Sequence, residues 1–270
     1  MMSARFLTVV LERAFNMRDG FGREIDYMRI SVIDSCNLNC YYCNPCDNNE
    51  HCHALNILSV KEVLCIVRAA TRLGIKHFRL TGGEPLLHPQ LDEMVLQIKK
   101  IPGVSSVSLT TNAVLLAQHA KWLKEAGIDS INVSLDTIDA SEYERITKKP
   151  LLEEVKHGIN AAIECGIRVK INVVLTPQTD VVALTRYVAK KGTDIRFIEM
   201  MPVGEGHTNG VEPYKKVIGT LSKLYGEPCR INTEKTKEIN SGNDKRKIPD
   251  NGPAEYYIFP ELGIRVGLIQ

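Results

Sequence analysis

Strand and helix patterns alternate six times between residues 26 and 204, and this alternation restricts the fold more than any other feature. Short runs rich in branched residues predict the strands, and longer runs with apolar residues three and four apart predict the helices. Such an alternation is typical of a parallel sheet with helical crossovers, either an open, partial barrel or a doubly wound sheet. The predicted strands are 27–33, 77–81, 106–111, 130–136, 169–175 and 194–200, and the predicted helices are 59–74, 89–101, 114–126, 141–147, 151–165 and 180–192.

The regular alternation stops after Gly204. A helix pattern at 213–225 is followed by a polar and charged segment, and then by two strand patterns that we expect to form a hairpin, 256–259 and 264–269. The chain ends at Gln270, within the second of these strand patterns. The predicted divisions are an N-terminal extension, a barrel and a truncated C-terminal region: 1–25, 26–204 and 205–270.

Composition describes an ordinary globular chain with an unusual cysteine cluster. Hydrophobic residues make up 44% and charged residues 24% of 270, and the formal net charge of +2 gives no global field that would attract nucleic acid. Of eight cysteines, five fall between residues 36 and 52, which indicates metal or redox chemistry rather than a disulfide framework. No apolar run reaches the ~20 residues that cross a membrane. We therefore expect a cytoplasmic protein without nucleic-acid or membrane partners.

Cys36, Cys40 and Cys43 stand at C-x3-C-x2-C spacing, directly after the first predicted strand. Three soft thiolates this close together suit a compact iron–sulfur centre. Because the motif supplies only three cysteines, one of four irons would remain open for a substrate or cofactor. The alternative is a zinc site completed by residues of the following loop. The candidate ligands for that alternative are Cys46, Cys52, His51 and His53.

Polar residues gather where the predicted strands end. The turn at 82–85, Gly-Gly-Glu-Pro, follows the second strand, where glycines let backbone approach a ligand and Glu84 offers a charged acceptor. Ligands of parallel α/β sheets bind at the carboxyl ends of the strands. The cysteine loop and these residues all follow strand ends, so they are expected on one face. The other polar residues at strand ends are Thr81, Thr110, Thr111, Asn112, Ser134 and Asp136.

Four cations are each flanked by apolar residues within a predicted strand: Arg29, Arg79, Lys170 and Arg196. Such positions can point into a barrel, and buried cations require anions. The set therefore suggests a phosphate or carboxylate substrate. The alternative is that each cation points outward or pairs with an acidic side chain.

These motifs resemble the radical S-adenosylmethionine superfamily, through the cysteine spacing, the aromatic Tyr42 before the last cysteine, and the turn at 82–85. Within that superfamily the chain is similar to the GTP 3′,8-cyclase family of molybdenum cofactor biosynthesis over roughly residues 18–270. The segments that carry this similarity are 26–32, 109–113, 131–137, 169–174, 195–204 and 252–257.

The resemblance implies a partial (β/α)6 barrel of the TIM type, with a 4Fe-4S cluster on Cys36, Cys40 and Cys43. S-adenosylmethionine would bind the open iron, and reductive cleavage would give a 5′-deoxyadenosyl radical that takes the 3′ hydrogen of GTP. An electron donor such as flavodoxin or ferredoxin is implied, and a homodimer is left open. The implied cofactor-binding residues are Tyr42, Gly83, Glu84, Ser134 and Met201, and the implied GTP-binding residues are Arg29, Arg79, Thr110, Lys170 and Arg196.

The sequence departs from the family pattern at two places. The family has a basic pair before the second strand, where this chain has Lys76 and His77. It also continues into a second cysteine motif for a guanine-holding cluster, whereas no cysteine follows Cys229 here. We therefore expect cleavage of S-adenosylmethionine with impaired turnover of GTP. The alternatives are a related enzyme acting on another substrate and a non-catalytic binding or metal-storage protein.

Overall fold

All six predicted strands form and pair in parallel, each with the next along the chain. The computed structural model describes residues 17–43, 57–200, 213–231 and 254–269. Because the order of these six strands does not reverse, they do not form a doubly wound sheet. In the described residues the sheet also stays open, as a partial barrel does. The strands are β1 Tyr27–Ser31, β2 His77–Thr81, β3 Ser106–Thr111, β4 Ser130–Ser134, β5 Arg168–Leu175 and β6 Asp194–Glu199.

The helices form where the apolar periodicity predicts them, and their ends follow local capping. Ser59 accepts a hydrogen bond from the backbone of Glu62, whose carboxylate accepts from the backbone of Ser59, so the predicted capping box is present. No helix in the described segments is long and apolar enough to cross a membrane. The helices are α1 Val60–Arg72, α2 Leu91–Lys99, α3 Leu116–Glu125, α4 Ala140–Thr147, α5 Leu152–Glu164, α6 Val181–Lys190 and α7 Pro213–Tyr225, with a short 3₁₀ turn at Pro85–Leu87.

The C-terminal strands extend the same sheet. The predicted hairpin forms from β8 (Glu255–Ile258) and β9 (Arg265–Ile269), and β9 pairs in parallel with β6. A further strand, β7 (Cys229–Ile231), pairs with β8 and was not predicted, because three residues beside a polar segment carry no readable alternation. The predicted boundary at Gly204 lies outside the described residues and stays a prediction.

Residues along each strand alternate between two faces of the sheet. One face packs against the helices and forms the main apolar core, which includes Phe78, Leu109 and Phe197, all fully buried. The other face carries the polar residues and the cations. Strand register brings them to common levels, for example Arg29 beside Arg79 and Asn172 beside Arg196. This polar inner face, at and below the carboxyl ends of the strands, positions the candidate site.

Acid should destabilise the protein through His119, which packs edge-on against Trp122, the single tryptophan, at a ring distance of 4.9 Å. Burial lowers the pKa of His119 from 6.5. The unfolded chain then binds a proton that the folded chain does not, so stability falls as the pH drops below about 6.5. Urea midpoints followed by Trp122 fluorescence should shift less with pH in His119→Gln. The exposed His157→Gln variant is the control and should shift as the wild type does.

Candidate active site

The cysteine loop leaves the carboxyl end of β1 and places three free thiols at the mouth of the sheet. Cys36 and Cys43 are exposed, and Cys40 is half-buried. The loop is held by α4, since the backbone N–H groups of Asn39 and Tyr41 donate to the carbonyl oxygens of Thr147 and Ile146 at 3.1 Å each. The three thiols are therefore presented on a fixed backbone rather than on a free loop.

A second tie comes from the end of β3. The Asn112 side chain donates to Asn37 Oδ1 at 2.7 Å, and its nitrogen lies 3.8 Å from Cys36 Sγ. The backbone N–H of Leu38 also donates to Cys36 Sγ, at 3.5 Å. Hydrogen bonds to sulfur favour the thiolate over the thiol, so these donors suit Cys36 to metal binding.

A third tie joins the loop to the end of β4. The Tyr42 hydroxyl donates to Asp136 Oδ2, and the other oxygen of Asp136 accepts from the backbone N–H of Val174 at 2.7 Å. Burial, and then the Asp136 carboxylate, raise the pKa of Tyr42, so the hydroxyl keeps its proton and remains a donor. Asp136 thus holds the residue that precedes Cys43, although the sequence showed it only as a polar strand end.

Removing the hydrogen bond between Tyr42 and Asp136 should lower the stability of the protein. Tyr42→Phe leaves a buried oxygen of Asp136 without its donor, and we expect a loss of about 1–3 kcal/mol in the free energy of unfolding. Urea denaturation measures this loss. The neighbouring Tyr41→Phe is the control, because Tyr41 is exposed and its change should matter less. An equal effect of the two variants would contradict the tie.

The turn at 82–85 lies directly against the start of the cysteine loop. Gly83 and Glu84 donate their backbone N–H groups to the carbonyl oxygens of Ile33 and Ser35, each at 2.8 Å. A Cβ atom at Gly82 or Gly83 would overlap those same carbonyl oxygens. The glycines are needed first for this contact between two backbones, which fixes the turn relative to the cysteines.

Glu84 is a brace between the turn and β3. Its side chain is 1% exposed, and its carboxylate accepts three hydrogen bonds: from Leu86 N at 3.0 Å, Thr111 Oγ1 at 2.7 Å and Asn112 N at 2.7 Å. Burial raises the pKa of this carboxyl group, and the three donors oppose that rise. The predicted contact of Glu84 with a cofactor stays a prediction; what the structure shows is a carboxylate bound to the chain's own donors.

The donor set suits an iron–sulfur cluster. Burial raises the pKa of Cys36, and burial, Asp136 and the other two cysteines raise that of Cys40 to about 12. Such thiols become thiolates when a positive centre binds them. No three His, Cys, Asp or Glu side chains in the described residues converge on one ion, whereas a cluster spreads its ligands over several irons. Cys46, Cys52 and the histidines of the zinc alternative lie outside the described residues.

Ser134 is the remaining predicted cofactor-binding residue that the structure describes. Ser134 is exposed at the end of β4, and Met201 lies outside the described residues. Asn172 on β5 is in register with Ser134, and its Oδ1 is buried without a hydrogen-bond partner in the described structure. A buried acceptor of this kind is costly unless a bound molecule satisfies it. Its one signal in the sequence was a polar residue inside an apolar strand.

The four predicted cations share the inner face. Arg29 lies beside Arg79, and Arg79 Nε donates to Ser108 Oγ at 3.1 Å. With the Asn132 amide in its favoured orientation, Oδ1 also accepts from Arg79 Nη1 at 2.7 Å. Thr110 lies on the same face, in register with Asn132.

Lys170 and Arg196, on β5 and β6, are 7% and 5% exposed. Both donate to the hydroxyl of Tyr256: Lys170 Nζ at 3.0 Å, Arg196 Nε at 3.1 Å and Arg196 Nη2 at 2.7 Å. All five residues predicted to bind the substrate are thus brought to one surface, below the cysteine loop.

Comparison with known proteins identifies the family. Residues 30–184 match the model of the Radical SAM superfamily. The chain is 36% identical to a GTP 3′,8-cyclase of Clostridium perfringens over 256 residues, which is 94% of this chain and 75% of that enzyme. It is 40% identical to the enzyme of that name from Listeria monocytogenes, over 89% of this chain and 70% of the relative.

Solved structures support the same fold. Streptococcus suis SuiB bound to S-adenosylmethionine matches with a TM-score of 0.61 and 18% identity, over 73% of this chain and 47% of SuiB. Native anSMEcpe with bound AdoMet matches with a TM-score of 0.58 and 19% identity, over 74% and 59% of the two chains. The chain therefore belongs to the GTP 3′,8-cyclase family of the radical S-adenosylmethionine superfamily, and its cofactors are a 4Fe-4S cluster and S-adenosylmethionine.

Proposed function

We propose that this enzyme converts GTP to (8S)-3′,8-cyclo-7,8-dihydroguanosine 5′-triphosphate, a step of molybdenum cofactor biosynthesis. When bound, the cofactors would supply a 5′-deoxyadenosyl radical that takes the 3′ hydrogen of GTP; the ribose carbon would then bond to C8 of guanine, and one further electron from the electron donor and a proton would give the dihydro product. One observation carries the proposal: the cysteine loop lies at the carboxyl edge of the same sheet whose inner face holds Arg29, Arg79, Lys170 and Arg196. Radical source and anion site are then stacked within one barrel.

The proposed division of labour follows this stacking. Cys36, Cys40 and Cys43 would hold the cluster, and the backbone of the turn at Gly83 would contact S-adenosylmethionine. Tyr42, Ser134 and Met201 would complete the cofactor site. Glu84 would contribute by holding the turn at 82–85 against β3. Backbone hydrogen bonds to α4 and side-chain hydrogen bonds to the ends of β3 and β4 keep these groups at fixed positions, which is what orientation of a reactive radical requires.

The triphosphate is assigned to the cations. A buried cation interacts with an anion in a medium of low dielectric, so Lys170 and Arg196 attract phosphate more strongly than surface cations do. Arg79 offers the forked geometry that suits phosphate oxygens, with Arg29 beside it and Thr110 as a neutral hydrogen-bond partner. The substrate would thereby lie phosphate-down in the barrel with its ribose toward the cysteine loop.

His77 replaces a basic residue of the family pattern, and the structure gives it other partners. Its Nδ1 lies 2.8 Å from Ser106 Oγ and its Nε2 lies 3.8 Å from Asp26. We propose that His77 contributes less to phosphate binding than a lysine would. The proposed surroundings are a cytoplasmic compartment, with flavodoxin or ferredoxin as the electron donor and a homodimer as the alternative to a monomer.

Anaerobic reconstitution tests the function. The purified chain should take up about four irons, and with dithionite and S-adenosylmethionine it should form 5′-deoxyadenosine. GTP should raise that rate and yield a cyclised nucleotide, whereas ATP should not. Formation of 5′-deoxyadenosine without any response to GTP would assign the enzyme another substrate. Iron uptake without any 5′-deoxyadenosine would favour the non-catalytic hypothesis, and failure to bind iron would contradict the cluster assignment.

A further inference from the structure

We propose that Tyr256 is a positioning residue for the substrate phosphates, which deepens the function proposed above and rests on it. Its hydroxyl accepts hydrogen bonds from both Lys170 and Arg196, at 2.7–3.1 Å. These two cations lie on adjacent strands and share this single oxygen. Through these hydrogen bonds Tyr256 helps to set the distance and orientation between two long cationic side chains.

The tyrosine comes from outside the six strands of the barrel core. It lies on β8, in register with Gly267 of β9, and Gly267 is in turn the register partner of Arg196 on β6. A Cβ at position 267 would lie 2.8 Å from the Tyr256 ring and 3.1 Å from Arg196 Cγ. The missing side chain at Gly267 is thus what lets Tyr256 reach across β9 to Arg196.

The charges around Tyr256 suit a polyanion. Lys170, Arg196 and Arg265 lie 5.2, 5.8 and 5.7 Å from its ring centre. Asp194, in register with Lys170, is engaged by Arg265 through both of its oxygens. The tyrosine hydroxyl carries no charge, so its hydrogen bonds orient Lys170 and Arg196 without neutralising them.

Tyr256 is expected to stay in place when substrate binds, rather than to occupy the phosphate position and be displaced. Its side chain is 2% exposed and packs within the sheet against Gly267. Moving it aside on substrate binding would break the close fit between β8 and β9. Its removal is therefore expected to weaken phosphate binding rather than to vacate a place for it.

The test compares Tyr256→Phe with Tyr257→Phe in the reconstituted chain of 270 residues. Tyr257 is the matched control, because its hydroxyl donates to the exposed Glu255 at 3.0 Å. Calorimetry would measure binding of GTP, inorganic triphosphate and guanosine. We expect Tyr256→Phe to bind GTP and triphosphate about tenfold more weakly, from lost hydrogen bonds to charged groups. Guanosine and S-adenosylmethionine should bind as to the wild type, which a general folding defect would not allow.

Two further variants separate positioning from a structural effect. Gly267→Ala keeps the hydroxyl but displaces the ring, and should also weaken triphosphate binding. Adding Tyr256→Phe to Lys170→Met should weaken triphosphate binding less than Tyr256→Phe does in the wild type. The reason is that part of the effect of the hydroxyl passes through Lys170, which is already absent. Wild-type affinity for triphosphate in Tyr256→Phe, or full additivity with Lys170→Met, would overturn the inference. If the wild type binds triphosphate but forms no GTP-dependent product, the proposed function fails while the Tyr256 comparison still decides this inference.

Discussion

Replacing Cys36 with alanine should lower the iron content from about four atoms per chain to below one and reduce 5′-deoxyadenosine formation more than ~100-fold. Cys36 is one of three proposed ligands, and its sulfur is the one that receives hydrogen bonds from Leu38 and Asn112. A cluster held by two thiolates loses both an anchor and the charge balance of its site. Iron and sulfide analysis, with the visible absorbance of the reconstituted protein, measures the loss directly.

Cys65→Ala is the matched control for this prediction. Cys65 is an exposed free thiol on α1, outside the cysteine loop. It should keep the iron content and the rate of the wild type. Unchanged iron in Cys36→Ala would refute the ligand assignment, and an equal loss in Cys65→Ala would point to oxidation of thiols in general rather than to one site.

Replacing Glu84 with alanine should lower the free energy of unfolding by about 3 kcal/mol. The change leaves three donors without their acceptor, on the buried Leu86 and Thr111 and the half-buried Asn112, at roughly 1 kcal/mol each. The cavity left behind adds to this loss, while relief from burying a carboxylate, whose pKa burial raises, subtracts from it. Urea denaturation at neutral pH gives the value.

The matched control for Glu84 is Glu62→Ala, which removes a carboxylate from the exposed start of α1. It should cost much less, because water can replace its partners. Glu84→Ala should also loosen the cysteine loop, since Asn112 contacts both Glu84 and Asn37. A stability equal to that of the wild type would mean that the carboxylate does not brace the turn.

Much of the fold was predictable because its signals are local. Branched strands, capped helices and glycine stops recur within windows of about ten residues, so the succession of β1 to β6 along the chain and the capping box at Ser59 could be derived from neighbouring residues alone. The pattern left open whether these strands form a partial barrel or a doubly wound sheet. The cysteine spacing and the turn at 82–85 are local as well. Short β7 was missed, since three residues carry too little periodicity.

The links between these segments were not predictable from pattern. Tyr42 and Asp136 are 94 residues apart, Lys170 and Tyr256 are 86 apart, and both pairs meet only after the strands have paired. The sequence showed Tyr256 as a strand residue of a hairpin, and it showed Asn172 as one polar position among apolar ones. Register decided which of these side chains share a face.

By itself, the sequence determined the strand–helix alternation, the three thiols and the presence of four cations within strands. Tertiary structure alone decided that the C-terminal hairpin joins the barrel through β9 and β6, that Gly267 admits Tyr256 to the cation pair, and that Glu84 binds the chain's own donors. The physical reason is that periodicity reports each segment's buried face, whereas hydrogen bonds between distant residues depend on which strands become neighbours and in what register.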